Sequence, residues 1–256
     1  MELYAARQHF DYTQRSQVAE LAGWFKSNPV ALHAVRAPKI VDDGSGYHSG
    51  SEVSLTALEK RERIDSMDEI KRALEVAEQL PFRYLVLGIC RPEESFHERK
   101  FENAMACLEH LRAFAKPLGV QLLLENQLGE MASGARLVEL LQALHFDDLN
   151  LCFDLGHAHL CRGNDRLQDN GVAGQFALMK ERIRSTHVHD NAGDRDHHGW
   201  PAAAATPGMI DWAEAMGLLR SLPQPPALVL EAAEADTASI PKRLGEAYQR
   251  LERAGS

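Results

Sequence analysis

Six short apolar runs alternate with amphipathic segments along the chain, and this alternation strongly constrains the fold. The runs are rich in Val, Leu and Ile and are mostly continuous, which is typical of parallel strands buried on both faces. They occupy residues 29–35, 82–90, 120–126, 149–155, 182–190 and 227–233. Helices are predicted near 14–27, 66–80, 95–115, 134–145, 172–181, 211–221 and 240–253. This β-α repeat has no Ser/Gly linker, so we expect one α/β domain over residues 1–256.

Two capping boxes predict where the second and third helices begin. Ser66 precedes Glu69 by three residues, and Ser95 precedes Glu98 by three. In a capping box, each of these side chains accepts a hydrogen bond from a backbone N–H group in the first turn. Gly119 is expected to end the third helix, because glycine readily adopts a left-handed conformation there.

The number of strands falls short of a closed barrel. Residues 1–4 resemble the end of one further strand, which brings the total to seven, whereas a (β/α)8 TIM barrel has eight. We therefore expect this barrel to lack its first βα unit and most of strand 2 at the N-terminus. The alternative is a weak strand within residues 36–65, but that segment is polar and Gly/Ser-rich. An open barrel would need a longer native chain or a partner, such as a second copy, to cover its edges.

Composition narrows the function classes. The 256-residue chain is 45% hydrophobic and carries a formal net charge of −9, which argues against a dedicated surface for nucleic acid or anionic membranes. Its four cysteines form no CxxC pair, as is usual for reduced thiols in a cytoplasmic protein. No apolar stretch reaches the roughly 18 residues that a membrane span needs. We expect a cytoplasmic protein without membrane contact.

Four acidic and histidine residues lie at or near the ends of successive apolar runs. They are Glu125, Asp154, His187 and Glu231, spaced about 30 to 45 residues apart, roughly one βα unit. In a barrel of parallel strands, the carboxyl ends of the strands lie on one rim, where barrel active sites are found. Three carboxylates and one imidazole are suitable ligands for a divalent metal ion. For Glu125, pairing with a lysine or arginine inside the barrel is the alternative.

Further candidates lie beside these four. His157 follows Asp154 by three residues and could contact substrate, orient a ligand or bind a second metal ion. His189 shares a strand face with His187, because side chains two residues apart point to the same side. Asp190 could orient a neighbouring imidazole.

A polar loop and an early histidine complete the candidate set. Asp196 and His198 lie in a long loop, and the alternative for them is a loop tip with incidental histidines. His33 follows an apolar run and would point to the same rim, although a satisfied core histidine is the competing interpretation. The chain has no GxGxxG, Walker or GxSxG motif, so nothing indicates a nucleotide cofactor or a serine hydrolase.

Five motifs together resemble the xylose isomerase-like barrel superfamily, which includes sugar phosphate isomerases/epimerases, ketose 3-epimerases, hydroxypyruvate isomerase, inosose dehydratase and endonuclease IV. They are LLLEN with Glu125, CFDLGHA with Asp154 and His157, THVHDN with His187, DRDHHG followed by PGMIDW, and LVLE with Glu231. Each motif alone is weak, and their order and spacing over nearly the whole chain carry the resemblance.

The resemblance implies one divalent ion, Mn²⁺, Mg²⁺, Co²⁺ or Zn²⁺, bound by Glu125, Asp154, His187 and Glu231. It also implies that Glu125 and Glu231 are the catalytic acid/base pair and that His157 holds a substrate oxygen. The expected function is isomerisation or epimerisation of a small sugar, sugar phosphate or related hydroxy-carbonyl compound through an enediolate. The expected partner is therefore a small carbohydrate substrate, with no nucleic acid.

A zinc phosphodiesterase of the endonuclease IV kind, acting at DNA abasic sites, is the alternative. By resemblance His157, Asp196 and His198 would hold a third zinc ion, and His33 would belong to the first zinc site. Gly88 stands where the family often has a histidine, so a trinuclear centre would lack a ligand. The acidic net charge also argues against DNA cleavage. A non-catalytic, truncated barrel is the remaining alternative.

Overall fold

In a computed structural model, the protein is described over residues 1–42, 50–162, 171–202, 209–234 and 236–254. The described residues contain seven strands: β1 Glu2–Tyr4, β2 Ala34–Arg36, β3 Tyr84–Leu87, β4 Gln121–Glu125, β5 Asn150–Asp154, β6 Ile183–Val188 and β7 Ala227–Leu230. They also contain eight α-helices: α1 Arg15–Ser27, α2 Lys60–Glu75, α3 Glu98–Ala115, α4 Gly134–Leu144, α5 Leu155–Leu160, α6 Gly171–Met179, α7 Trp212–Arg220 and α8 Ile240–Ala254.

The chain divides into two compact units. The first unit comprises Met1–Glu125 and Glu139–Asn150, and the second comprises Asn126–Val138 and Leu151–Ser256. The expectation of a single domain over residues 1–256 stays a prediction.

The first unit is built on the parallel strands β1, β2, β3 and β4, which pair in that order. All four residues of β3 are buried, and so are the last four of β4. This burial explains their continuous apolar sequences, because parallel strands are covered on both faces. Helices α2 and α3 pack against each other and bury Leu74 and Leu108 completely.

The second unit contains the parallel strands β6 and β7 and most of β5. Asp154 is in register with His187, and Val188 is in register with Leu230. The ring of Phe153 meets Phe176 of α6 edge to face, with centroids 6.1 Å apart. The register places the carboxyl ends of these strands side by side at one edge.

Most elements agree with the sequence-based predictions, but the starts of helices α2 and α3 differ from the predicted ones. Helix α2 begins at Lys60, and Ser66 lies buried inside it, where its Oγ accepts a hydrogen bond from the N–H of Ser54. His97, and not Ser95, caps α3 by accepting from the N–H of Arg99. Both predicted capping boxes are therefore wrong.

The segment between β2 and α2 has little regular structure where it is described. Ile40 and Glu52 form an isolated antiparallel bridge. The described parts of this segment, residues 37–42 and 50–59, contain no further strand. The prediction that a βα unit is missing upstream concerns what precedes residue 1 and stays a prediction. In the described ranges, no helix combines the length and apolarity that crossing a membrane requires.

Candidate metal centre

Three of the predicted ligands meet at the carboxyl ends of β5, β6 and β7. Asp154 ends β5, His187 is the second-last residue of β6, and Glu231 directly follows β7. The Nδ1 atom of His187 lies 3.4 Å from Oε2 of Glu231 and 3.8 Å from Oδ2 of Asp154. The strand register explains this convergence, because the N–H of Glu231 still donates to the carbonyl of Val188 at 3.1 Å.

The geometry and chemistry of this trio fit a divalent ion. Ligand atoms bound at about 2.0–2.2 Å lie at most about 4.4 Å apart, and the two distances from His187 fall within that limit. Asp154 and His187 are fully buried, whereas the side chain of Glu231 is 28% exposed. The trio therefore has a side from which a small molecule can approach.

Asp154 is fixed from several directions. Its N–H donates to Oδ1 of Asn126 at 2.7 Å, and Nδ2 of Asn126 donates to its carbonyl at 2.9 Å. Oδ1 of Asp154 accepts from the N–H of His157 at 2.8 Å and so caps α5. Asn126 was not among the residues predicted from sequence, although it directly follows Glu125 in the LLLEN motif.

A second cluster surrounds Asp196. Nε2 of His198 lies 3.0 Å from Oδ2 of Asp196, and Nε2 of His157 lies 3.4 Å from the same atom. Burial acts to raise the pKa of Asp196, but hydrogen bonds from His157 and His198 outweigh it and hold the pKa well below its usual range. Ligand atoms of His189, Asp196 and His198 lie within 4.8 Å of one another. Three of the predicted additional ligands are thus close together.

The loop that carries Asp196 and His198 is anchored by Asp190. The carboxylate of Asp190 accepts from Nε1 of Trp212 at 2.6 Å, from the N–H of Asn191 at 2.9 Å and from the N–H of Ile210 at 3.3 Å. Its backbone also forms an antiparallel bridge with Gly199. Asp190 thus binds an indole and backbone donors, not the imidazole that the sequence suggested.

In the first unit, Glu125 pairs with Arg36. Nη2 of Arg36 donates to both carboxylate oxygens of Glu125, at 2.7 Å and 2.8 Å, and both side chains are buried. Arg36 ends β2 and Glu125 ends β4, so both lie at the carboxyl ends of their strands. The structure therefore shows the arginine partner that was the alternative interpretation of Glu125. Arg36 itself was not predicted.

His33 lies at the other end of its strand. It precedes β2, and its N–H donates to the carbonyl of Met1 at 2.8 Å. Its ring contacts Tyr84 at the start of β3, and burial lowers the pKa of the imidazole. The prediction that His33 points to the carboxyl-end rim is wrong, because only the last residues of its apolar run form the strand.

A family model for the xylose isomerase-like TIM barrel matches residues 1–254. The chain belongs to this family. The match confirms the predicted TIM-barrel fold class and the resemblance drawn from the five motifs.

Two solved structures and one curated relative are similar to this xylose isomerase-like barrel. A D-tagatose 3-epimerase-like protein is 19% identical with a TM-score of 0.71, covering 100% of this chain and 90% of its own. The IolI protein, crystallised with a bound zinc atom, is 17% identical with a TM-score of 0.69, covering 99% of this chain and 85% of its own. At these identities the likeness concerns the fold.

The curated relative is an uncharacterised protein, MJ1614, from Methanocaldococcus jannaschii. It is 25% identical over 150 residues, which are 58% of this chain. The chain spans about half of that relative's length, since the match covers 56% of it.

Proposed function

We propose that this xylose isomerase-like barrel is a divalent-metal-dependent isomerase or epimerase. Its substrate would be a small sugar, sugar phosphate or related hydroxy-carbonyl compound in the cytoplasm. The observation that carries the proposal is the convergence of Asp154, His187 and Glu231 at adjacent strand ends, with ligand atoms within 4.8 Å of one another. The names of the structural relatives support it, since one is called D-tagatose 3-epimerase-like and another was crystallised with zinc.

The proposed ligands are Asp154, His187 and Glu231, together with Glu125, which the strand-end series and the family resemblance add. This mixed oxygen and nitrogen set suits Mn²⁺, Mg²⁺, Co²⁺ or Zn²⁺. When bound, the ion would supply Lewis-acid polarisation of a substrate carbonyl oxygen.

The two glutamates would transfer the proton. An adjacent guanidinium stabilises an ionised carboxylate, so Arg36 would keep Glu125 deprotonated, which is the form that can accept the proton from the carbon beside the carbonyl. Glu231, whose side chain is partly exposed, would return a proton to the neighbouring carbon or to the opposite face. His157 would hold a substrate oxygen through Nε2, which lies 3.4 Å from Oδ2 of Asp196, while its Nδ1 meets the carbonyl of Asn126 at 2.9 Å.

The test is deuterium exchange during turnover. The metal-loaded enzyme is incubated with a panel of ketoses and ketose phosphates in deuterated water, and label at the carbon beside the carbonyl is measured by NMR. Glu231→Gln and Glu125→Gln should each reduce exchange by about 100-fold or more, as loss of a general acid or base does. Glu20→Gln, at an exposed position on α1, is the control and should leave exchange unchanged. Wild-type exchange rates in both site variants would sink the assignment.

The cluster around Asp196 supports a second candidate. A zinc phosphodiesterase of the endonuclease IV kind would use His157, Asp196 and His198 for a further zinc ion. It would bind two or three zinc ions per chain and cleave DNA at abasic sites. Elemental analysis of the zinc-loaded protein separates the two candidates, because one ion per chain excludes the phosphodiesterase.

A further inference from the structure

The two carboxylate oxygens of Asp154 have different surroundings. Oδ1 accepts the N–H of His157 at 2.8 Å and lies 3.1 Å from Nε2 of His189. Oδ2 faces the trio described above, 3.8 Å from Nδ1 of His187, and it also lies 3.4 Å from Nδ1 of His157. One oxygen is therefore bound to the protein framework, while the other lies among the proposed metal ligands.

The imidazole of His189 is enclosed on several sides. The side chain is fully buried, and its ring stacks on His198 with centroids 4.1 Å apart and planes 17° apart. The ring of His157 meets it edge-on at 5.7 Å. Such packing limits rotation of the ring, and in this orientation Nε2 is directed at Asp154.

Gly156 makes this position of the ring available. A Cβ atom at residue 156 would lie 1.9 Å from Cε1 of His189 and 2.4 Å from each ring nitrogen. Atoms that are not bonded to each other do not approach this closely, so a side chain at position 156 would displace the imidazole. The glycine of the CFDLGHA motif is thus required by the close approach of His189.

We propose that His189 is a positioning residue that donates its Nε2–H to Oδ1 of Asp154 and thereby presents Oδ2 to the metal ion. The role rests on the proposed function, because that proposal makes Asp154 a ligand. A carboxylate can rotate about its Cβ–Cγ bond and offer one or both oxygens. A hydrogen bond from a rigid imidazole to one oxygen removes that freedom, and such contacts to a ligand commonly strengthen metal binding.

The competing role for His189 is direct ligation through its other nitrogen. Nδ1 of His189 is buried, lies 3.6 Å from Oδ1 of Asp196 and has no hydrogen-bond partner among the described residues. Ligation there would make Nδ1 the functional atom, whereas positioning of Asp154 makes Nε2 the functional atom. Two amide substitutions separate these roles, because Gln places its amide nitrogen near the position of Nε2 and Asn places it near Nδ1.

The test compares metal affinity in the intact chain. Zn²⁺ and Mn²⁺ affinities of wild type, His189→Gln and His189→Asn are measured by competition with a chelator, and stoichiometry by elemental analysis. We expect Gln to bind within a few-fold of wild type and Asn to bind about 10- to 100-fold more weakly. Equal affinities in the two variants, or tighter binding by Asn than by Gln, would overturn the role of His189.

Two further variants test the packing. Gly156→Ala should weaken metal binding as much as His189→Asn, because it displaces the ring. Gly217→Ala, at a helical glycine with open space around it, is the matched control and should bind as wild type does. Wild-type affinity in Gly156→Ala would contradict the role.

NMR of the metal-free chain provides a readout that needs no ion. The imidazole correlations of His189 are assigned by their absence in His189→Gln. They should show the Nε2–H tautomer. The Nδ1–H tautomer would contradict the proposed donor. If wild type binds no divalent ion, the proposed function fails and this role fails with it. If wild type binds the ion but the Gln and Asn variants do not differ, only the role of His189 fails.

Discussion

Nη2 of Arg36 lies 2.7 Å and 2.8 Å from the two carboxylate oxygens of Glu125, and the two side chains are only 5% and 1% exposed. Removing one partner of a buried ion pair leaves an uncompensated charge, which typically costs about 3–5 kcal/mol. Arg36→Met should therefore lower the free energy of unfolding by that amount, measured by urea denaturation of the metal-free protein.

A matched surface pair provides the control. Arg61 bonds to Asp65 on α2, but its side chain is 86% exposed, so Arg61→Met should change the free energy of unfolding by less than about 1 kcal/mol. Adding Glu125→Gln to Arg36→Met removes the buried charge and should recover part of the loss. Equal effects of Arg36→Met and Arg61→Met would contradict the buried pair.

The contact between Asp190 and Trp212 predicts a second stability effect. The indole Nε1 of Trp212 donates to a fully buried carboxylate at 2.6 Å. A hydrogen bond to a charged group is worth about 1.5–3 kcal/mol. Trp212→Phe should therefore lower the free energy of unfolding by about 1.5 kcal/mol or more. Trp24→Phe, at a side chain 45% exposed, is the control and should stay within about 0.5 kcal/mol of wild type in thermal unfolding. Equal losses in the two variants would contradict the contact.

The four cysteines should be unreactive in the folded chain. All four are buried, and burial raises the pKa of the thiols of Cys90 and Cys161 and raises that of Cys107 to about 11. Because the thiolate is the reactive form, a thiol reagent at neutral pH should label the native protein slowly and all four thiols after denaturation. Rapid labelling of the native protein at any of these cysteines would contradict their burial.

The strands could be predicted because parallel strands covered on both faces have continuous apolar sequences. Five of the six apolar runs contain one strand each, the run 29–35 overlaps β2, and residues 1–4 contain β1. The helix starts were harder to predict. Ser66 lies in a pattern that resembles a capping box, yet the helix begins at Lys60 with no side-chain cap at Glu59. A serine inside a helix and one that caps it can have the same sequence neighbours.

The site could be predicted where ligands follow directly from strand ends. Asp154, His187 and Glu231 each end or nearly end an apolar run, so their convergence follows from the parallel register. A basic partner for Glu125 was the alternative interpretation, but its identity as Arg36 could not be predicted, and neither could the contact of Trp212 with Asp190. Both contacts join residues far apart in sequence, without any periodic signal. His33 was misplaced because an apolar run does not show which of its residues pair into the strand.

Metal binding by His187→Gln and His33→Gln tests the central claim most directly. Both substitutions exchange a histidine for glutamine, but His187 lies among the proposed ligands and His33 lies at the amino end of β2. Stoichiometry and affinity for Mn²⁺ and Zn²⁺ are measured by elemental analysis and chelator competition. We predict one ion per chain in wild type and in His33→Gln. In His187→Gln we predict that metal affinity falls by about 100-fold or more. Residues that only hydrogen-bond to a ligand typically cost about 10- to 100-fold in metal affinity. Wild-type affinity in His187→Gln, or no bound ion in wild type, would contradict the metal centre.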